Sequence, residues 1–168
     1  MFRSAKRADA GTDAMRETIN LAGHFVQRFA TVELLVAAWL CKIEASPDTG
    51  AAFLKKNRTL HARMERLREL LNAGGERNAQ SLVDALAQIE PLRKFRNQFL
   101  HSAVGLDEQD ETVLVGSQGI MSMTVAVVDA HIDSALAVLN VLNDGYIARY
   151  GDHPSLQLVA MNTPPPVE

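Results

Sequence analysis

The chain has 168 residues, of which 47% are hydrophobic and 22% are charged, and its formal net charge is −3. This length supports one domain with a hydrophobic core and is too short for two domains of ordinary size. The small net charge excludes a surface that is basic overall, so nucleic-acid binding would require a local basic patch. Cys41 is the only cysteine, which excludes a disulfide framework and a cysteine-based metal site.

The sequence predicts a soluble, cytoplasmic protein without a membrane segment. Residues 1–10 are charged and lack the apolar centre of a signal peptide. The most apolar run, residues 29–40, is interrupted by Glu33. A single cysteine is typical of a reducing compartment. We expect no metal ion and no other cofactor.

The first half of the chain is predicted to be helical. Residues 1–12 are expected to be a flexible N-terminus, and Thr12 or Asp13 is expected to cap a first helix that ends near residue 45. A second helix is predicted over residues 48–72, where Gly74 and Gly75 supply a left-handed stop.

The second half is predicted to contain further helices and one hairpin. Ser81 and Asp84 resemble a capping box, and Pro91 is expected to break the helix that follows. Residues 112–115 and 120–124 alternate as in a short β-hairpin. Helical periodicity returns from Val125 to about Tyr150, and residues 151–168 are expected to form a tail that is disordered at its end. The expected fold class is all-α, an up-and-down bundle of four or five helices with a hairpin before the last helix, in a single domain over residues 13–150.

The segment that follows Pro91 carries the most reactive combination of side chains. Arg96 can grip an anionic oxygen, Asn97 can orient a partner, and His101 can exchange a proton near neutral pH. Arg93 and Lys94 make the flank of this trio basic. The combination suits a phosphodiester.

Helix geometry argues that one subunit presents this trio poorly. Asn97 and His101 are four residues apart and share a face, whereas Arg96 and His101 are five apart and diverge by roughly 140°. A twofold axis beside the helix can bring Arg96 of one chain toward His101 of another. A helix that frays before His101 would relax this constraint. The first helix is also apolar on more than one side, which favours a homodimer.

Glu33 occupies a position in the apolar seam of the first helix where an apolar residue is expected. An unpaired buried carboxylate would cost several kcal/mol. We therefore expect Glu33 either to pair with Arg96 or Arg93 or to lie at the rim of the core, where water reaches it.

The run Phe95-Arg96-Asn97-Gln98-Phe99-Leu100-His101-Ser102 resembles the Arg-x4-6-His signature of HEPN domains, and the resemblance extends loosely over residues 13–150. It implies a HEPN-type bundle that acts as a metal-independent endoribonuclease, with Arg96 and His101 of two subunits converging on one RNA phosphate. His101 would be the general base or the general acid, Arg96 would stabilise the phosphorane, and Asn97 would orient one of them. Such domains act as toxins or in phage defence, so an antitoxin is an expected partner.

The resemblance also leaves a second interpretation open. HEPN-like domains include members that dimerise or bind without cutting, and an Arg, Asn and His near a helix end can simply satisfy carbonyls and a neighbouring carboxylate. The alternative function is a noncatalytic helical interaction module.

Two further patterns have weaker functional meaning. Asp129, His131 and Asp133 point in different directions on a helix, which favours a solvated face over a metal site. The basic run from Lys55 to Arg68 fits either an RNA-facing surface or a solvated amphipathic helix with a buried stripe.

Overall fold

The computed structural model of the chain describes residues 5–44, 59–74, 79–117 and 119–151, with side chains from residue 12 onward. These residues form four helices and three strands in the order α1 (Ala5–Ile43), α2 (Leu60–Ala73), α3 (Ala79–His101), β1 (Ala103–Leu106), β2 (Thr112–Gly116), β3 (Gly119–Ser122) and α4 (Val125–Tyr150). The prediction of a mostly helical chain with a small β element before the last helix is therefore confirmed.

The first helix is longer at its N-terminal end than the sequence predicted. α1 begins at Ala5, so the predicted cap at Thr12 or Asp13 is wrong. Residues 5–10 are three alanines with Lys, Arg and Asp, which favour helix, and Gly11 costs only about 1 kcal/mol relative to alanine. The helix ends at Ile43, close to the predicted end near residue 45.

α2 begins later than predicted, because Thr59 caps it. Thr59 is extended (φ −92°, ψ 144°), and its side chain accepts a hydrogen bond from the backbone N–H of Ala62 at 3.3 Å. An uninterrupted helix over residues 48–72 is therefore wrong, although its predicted start lies outside the described residues. At the other end Gly74 is right-handed (φ −77°) and donates to the carbonyl of Leu70, so it is not the left-handed stop. Gly75 also lies outside the described residues.

α3 continues through Pro91, where a break was predicted. Proline removes one hydrogen bond, to the carbonyl four residues earlier. Ile89, Leu92 and Phe95 are all almost fully buried on this helix, and this burial offsets the lost bond. The predicted capping box is also wrong, since the helix starts at Ala79 and the Asp84 carboxylate accepts from the side chain of Gln80 at 2.8 Å.

The predicted hairpin is part of a three-stranded antiparallel sheet in the order β1-β2-β3. β2 and β3 correspond to the predicted pair, although β3 ends at Ser122, two residues before the predicted end at Thr124. β1 was missed because its four residues show no alternation of apolar and polar side chains. The Asp107 carboxylate stabilises the β1–β2 turn by accepting from the backbone N–H groups of Gln109 (2.8 Å) and Glu111 (2.9 Å). Asp110 in that turn has a φ of 64°.

The last helix runs from Val125 to Tyr150, as predicted. It is the one helix in the described part of the chain that is long and apolar enough to cross a membrane by length and composition, with a mean hydropathy of 1.6 and 22% of the window buried. The expectation that the protein has no membrane segment stays a prediction.

The contacts of the chain fall into two compact units. The first comprises Met1–Phe29 with Pro91–Leu136, and the second comprises Ala30–Glu90 with Ala137–Glu168. The prediction of a single domain over residues 13–150 stays a prediction, and each unit is described by itself.

An aromatic cluster forms the core of the first unit. Phe25 packs edge-on against Phe95, with ring centroids 5.0 Å apart, and lies 6.0 Å from Phe29. His131 stacks on Phe95, with centroids 3.8 Å apart and an angle of 18° between the rings. These contacts hold the C-terminal half of α3 in place, because Phe95 lies within it.

The second unit is built around Trp39. Its indole N–H donates to the carbonyl of Leu142 at 3.0 Å, and its ring packs edge-on against Tyr146 at 5.5 Å. Gly145 allows this close approach. A Cβ atom at that position would lie 2.8 Å from a methyl group of Leu82 and 3.4 Å from the Trp39 ring.

We predict that Gly145→Val lowers the free energy of unfolding by about 1–3 kcal/mol, because the added methyl groups must displace Leu82 and Trp39. Urea titration followed by circular dichroism measures the change. Gly23→Ala is the matched control, since Gly23 lies inside α1 with no atom within 4 Å of an added Cβ. The control should raise the free energy of unfolding by about 0.5–1 kcal/mol. Equal stability of Gly145→Val and the wild type would contradict the packing.

Candidate functional site

A cleft of about 680 Å³ lies in the first unit between α3 and the β2–β3 hairpin. This volume is within the range of sites that take small ligands or single building blocks of polymers. One wall comes from α3 and the residue that follows it. The other comes from the sheet and the turn that joins β2 to β3.

The α3 wall consists of two neighbouring rows of polar side chains. Both rows advance by four residues, which keeps their members on nearly the same face of a helix. The first row contains Arg93, Asn97 and His101, and the second contains Lys94, Gln98 and Ser102. The predicted residues Arg93, Lys94, Asn97 and His101 are thus brought together on one surface.

The sheet wall is mostly apolar. Leu114 and Met121 are cross-strand partners, so their side chains lie on the same face of the sheet. Both line the cleft, Leu114 as a buried residue and Met121 as a half-buried one. Ile120, the neighbour of Met121, also lines the cleft and is 73% exposed.

Two glycines of the β2–β3 turn set the shape of the cleft. Gly116 pairs with Gly119 and leaves a two-residue connection, and Gly119 has a φ of 110°, which residues with a side chain rarely adopt. A Cβ atom at Gly116 would overlap the hydroxyl of Ser102. Gly116 therefore allows the end of β2 to approach the end of α3 closely.

The charge of the lining residues favours an anion. Arg93, Lys94 and His101 all line the cleft, and none of its described lining residues is an aspartate or a glutamate. The other polar groups are amides and hydroxyls, which donate hydrogen bonds to oxygen. Cations on one wall of a concave site raise the local concentration of anionic ligands. The lining of the cleft is therefore better suited to an anion than to a cation.

Arg96 does not line this cleft. Its guanidinium carbon lies 5.3 Å from the centre of the Phe29 ring, in the geometry of a cation–π contact. One α-helix carries both Arg96 and His101, and the predicted divergence of roughly 140° agrees with this separation. The predicted convergence of Arg96 and His101 on one phosphate therefore requires that the two residues come from different chains of a dimer, and it stays a prediction.

Glu33 lies on α1 and is half-buried. It belongs to the second unit, whereas Arg93 and Arg96 belong to the first. The expected pairing of Glu33 with one of these arginines stays a prediction.

His131 is not a solvated surface residue, as its pattern had suggested. It is half-buried, and its Nδ1 lies 2.7 Å from the carbonyl oxygen of Val127. Its ring stacks on Phe95 and lies edge-on to Phe25 at 6.0 Å. Its place is therefore structural, beneath the polar wall of the cleft. Among the described residues no group of three or more His, Cys, Asp or Glu side chains is placed to hold a metal ion.

The described part of the basic run is an amphipathic helix whose arginines form ion pairs. Arg66 pairs with Glu44 at 3.0 Å and with Glu69 at 3.1 Å, and Arg68 pairs with Glu65. The hydrogen bonds to Glu69 and Glu44 raise the pKa of the Arg66 guanidinium. The predicted buried stripe is present at Leu60, Met64, Leu67 and Leu71. These pairings favour the interpretation as a solvated helix; residues 55–58 lie outside the described part.

Burial disfavours the ionised form of two other reactive groups, both in the second unit. Burial raises the pKa of the Cys41 thiol, which lowers the fraction of nucleophilic thiolate at neutral pH. Burial also raises the pKa of the Tyr150 hydroxyl, so this group stays protonated near neutral pH. Neither group supplies an activated nucleophile.

Sequence reasoning missed several lining residues. Gln98 and Ser102 follow Lys94 at steps of four, so the helical period contained the signal for them. Ser117 and Met121 come from the hairpin. No local signal identifies them, because only the fold of the hairpin toward α3 makes them neighbours of the polar rows.

We predict that Gly116→Ala destabilises the protein by about 0.5–1.5 kcal/mol, because the new methyl group forces the Ser102 hydroxyl out of its present rotamer. Ser102→Ala in the same chain removes that hydroxyl and should restore most of the loss. The coupling is measured as a double-mutant cycle of unfolding free energies. Strictly additive effects of the two changes would contradict this close approach.

The chain was also compared with known proteins. No family model, no curated protein and no solved structure matches it.

Proposed function

We propose that this protein binds RNA through the cleft between α3 and the β2–β3 hairpin, and that it is a HEPN-type, metal-independent endoribonuclease active as a homodimer. The observation that carries the proposal is the polar wall of α3, where Arg93, Asn97 and His101 occupy one row and Lys94 lies beside it. A basic wall without a lining carboxylate suits a phosphate, and a histidine among those groups suits proton transfer.

Each polar residue has a role in the proposed reaction. His101 removes the proton of the ribose 2′-hydroxyl or protonates the leaving 5′-oxygen, and Asn97, one turn earlier, orients it. Arg93 and Lys94 neutralise the negative charge that develops on the phosphorane. The attack of the 2′-oxygen on phosphorus breaks the bond to the 5′-oxygen and leaves a 2′,3′-cyclic phosphate. Water takes part in the proton transfer that His101 does not perform, so that the 5′-oxygen leaves as a hydroxyl.

Arg96 enters this proposal through the second copy of the chain. Within one chain Arg96 packs over Phe29 and lies away from the cleft wall that carries His101. In the proposed dimer the guanidinium of one chain is presented to the phosphate held by His101 of the other. A cytoplasmic toxin or phage-defence role, with an antitoxin as protein partner, belongs to the same proposal.

We predict that the purified protein cleaves total RNA into discrete fragments in the presence of EDTA. His101→Ala should lower the cleavage rate by about 10²-fold to 10⁴-fold, because the proton-transfer group is lost. His24→Ala is the matched control, since His24 is exposed on α1 and lies away from the cleft. Its rate should equal that of the wild type. Equal rates for His101→Ala and His24→Ala would assign the cleavage to a contaminant.

We further predict that mixing two inactive variants restores activity. A mixed dimer of Arg96→Ala and His101→Ala chains keeps one of the two Arg96–His101 pairs of the wild type, with the arginine from one chain and the histidine from the other. Random exchange makes about half of the dimers mixed, so about a quarter of the wild-type rate should return. Analytical ultracentrifugation checks that both variants dimerise. No recovery in dimers shown to have exchanged would overturn the composite site.

The alternative function is a noncatalytic HEPN-like dimerisation or interaction module, and the contact of Arg96 with Phe29 favours it. If Arg96 has only this structural role, the wild-type protein does not cleave RNA, and Arg96→Ala lowers the melting temperature. RNA cleavage by the wild-type protein therefore separates the two functions, because loss of the contact with Phe29 lowers the melting temperature under either of them.

A further inference from the structure

We infer that the cleft binds one unpaired nucleotide of single-stranded RNA, with the phosphate on the α3 wall and the base against the sheet wall. This inference rests on the proposed RNA-binding function and adds the form of the ligand. Its basis is the division of one cleft into a cationic wall and an apolar wall.

The apolar wall is suited to the face of a base. Leu114 and Met121 form a cross-strand pair on one face of the sheet and border the cleft. Ile120 borders the cleft next to Met121, pairs with Val115 across the two strands, and is the most exposed of the large hydrophobic residues in the described part of the chain. A flat, weakly polar ring that covers Met121 and Ile120 removes their apolar surface from water, whereas Leu114 is 1% exposed and has almost none to lose. A bare phosphate gains nothing from them.

The opposite wall is suited to the backbone of the same nucleotide. Lys94 is exposed and Arg93 and Asn97 are half-buried, and all three line the cleft. Lysine and arginine are the usual partners of phosphate oxygens, and their contacts fix register without reading sequence. The Gln98 amide lies on the same wall and offers both a donor and an acceptor.

A base can reach the apolar wall only when it is unpaired. In an RNA duplex the faces of the bases are stacked inside the helix, and the outer surface presents phosphates and 2′-hydroxyls. A duplex would therefore contact the cationic wall and leave Met121 and Ile120 in water. Single-stranded RNA can turn one base out of the stack and engage both walls.

The test compares three probes by fluorescence anisotropy and competition in EDTA. They are a labelled 12-nucleotide 2′-O-methyl RNA, its duplex with the complementary strand, and inorganic polyphosphate as a competitor. The methyl group removes the attacking 2′-hydroxyl, so binding is measured without cleavage. The wild type should bind the single strand at least about fivefold more tightly than the duplex.

Variants of the two walls should behave differently. Met121→Gln and Ile120→Ser should each weaken binding of the single strand by about fivefold and leave the affinity for polyphosphate unchanged. Lys94→Ala should weaken binding of all three probes. Ile147→Ser is the matched control, because Ile147 is 38% exposed on α4 and does not line the cleft. It should change none of the affinities.

The outcomes separate the inference from the function on which it rests. Two results would overturn the base-binding wall and leave RNA binding intact. One is that Met121→Gln and Ile120→Ser weaken the binding of the single strand and of polyphosphate equally. The other is that the wild type binds single strand and duplex with equal affinity. No binding of any probe by the wild type would overturn the proposed function itself. Circular dichroism verifies the fold of each variant. The affinity of Ile120→Thr, which keeps the β-branched shape, gives a second measurement at position 120.

Discussion

The continuity of α3 through Pro91 fixes the positions of the polar side chains on one wall of the cleft. The two rows that begin at Arg93 and Lys94 form only because every residue from there to His101 keeps the helical advance of roughly 100°. Proline removes one backbone hydrogen bond at this point, and burial of Leu92 and Phe95 just beyond it offsets the loss. The stacking of His131 on Phe95 adds a further contact that holds the same half of the helix. The aromatic core of the first unit therefore determines the geometry of the proposed site, because it holds the part of α3 that carries the polar rows.

The sheet wall of the cleft takes its shape from two glycines. It is mostly apolar, whereas the α3 wall is polar. Gly119 provides the positive φ that closes the turn, and Gly116 lets β2 approach Ser102. The hairpin thereby places Leu114 and Met121 on the wall that faces the two polar rows of α3, which include Arg93 and Lys94. Placing an apolar surface opposite a basic one gives the cleft two chemically distinct halves. This division supports the inference that the ligand has both an anionic backbone and a face of low polarity.

The two proposed functions differ mainly in the role that they give to Arg96. On a straight helix a residue five positions from His101 faces another direction, and Arg96 accordingly packs over Phe29. The ribonuclease proposal assigns the missing guanidinium to a second chain, and the interaction-module proposal assigns Arg96 to the core of the first unit. Both proposals start from the same contact, because the cation–π contact with Phe29 sets the position of the Arg96 guanidinium within one chain.

The sequence alone determined the helical class, the last helix from Val125 to Tyr150 and the β2–β3 pair, because hydrophobic periodicity and turn glycines are local signals. It also determined that Asn97 and His101 share a face, since four residues make about one helical turn. The tertiary structure decided the rest. It kept α3 intact at Pro91, where burial outweighed a local break signal, and it paired β1, whose four residues carry no periodic signal. It also brought Met121 of the hairpin to the α3 wall, because a contact between residues distant along the chain depends on packing and leaves no trace in local spacing.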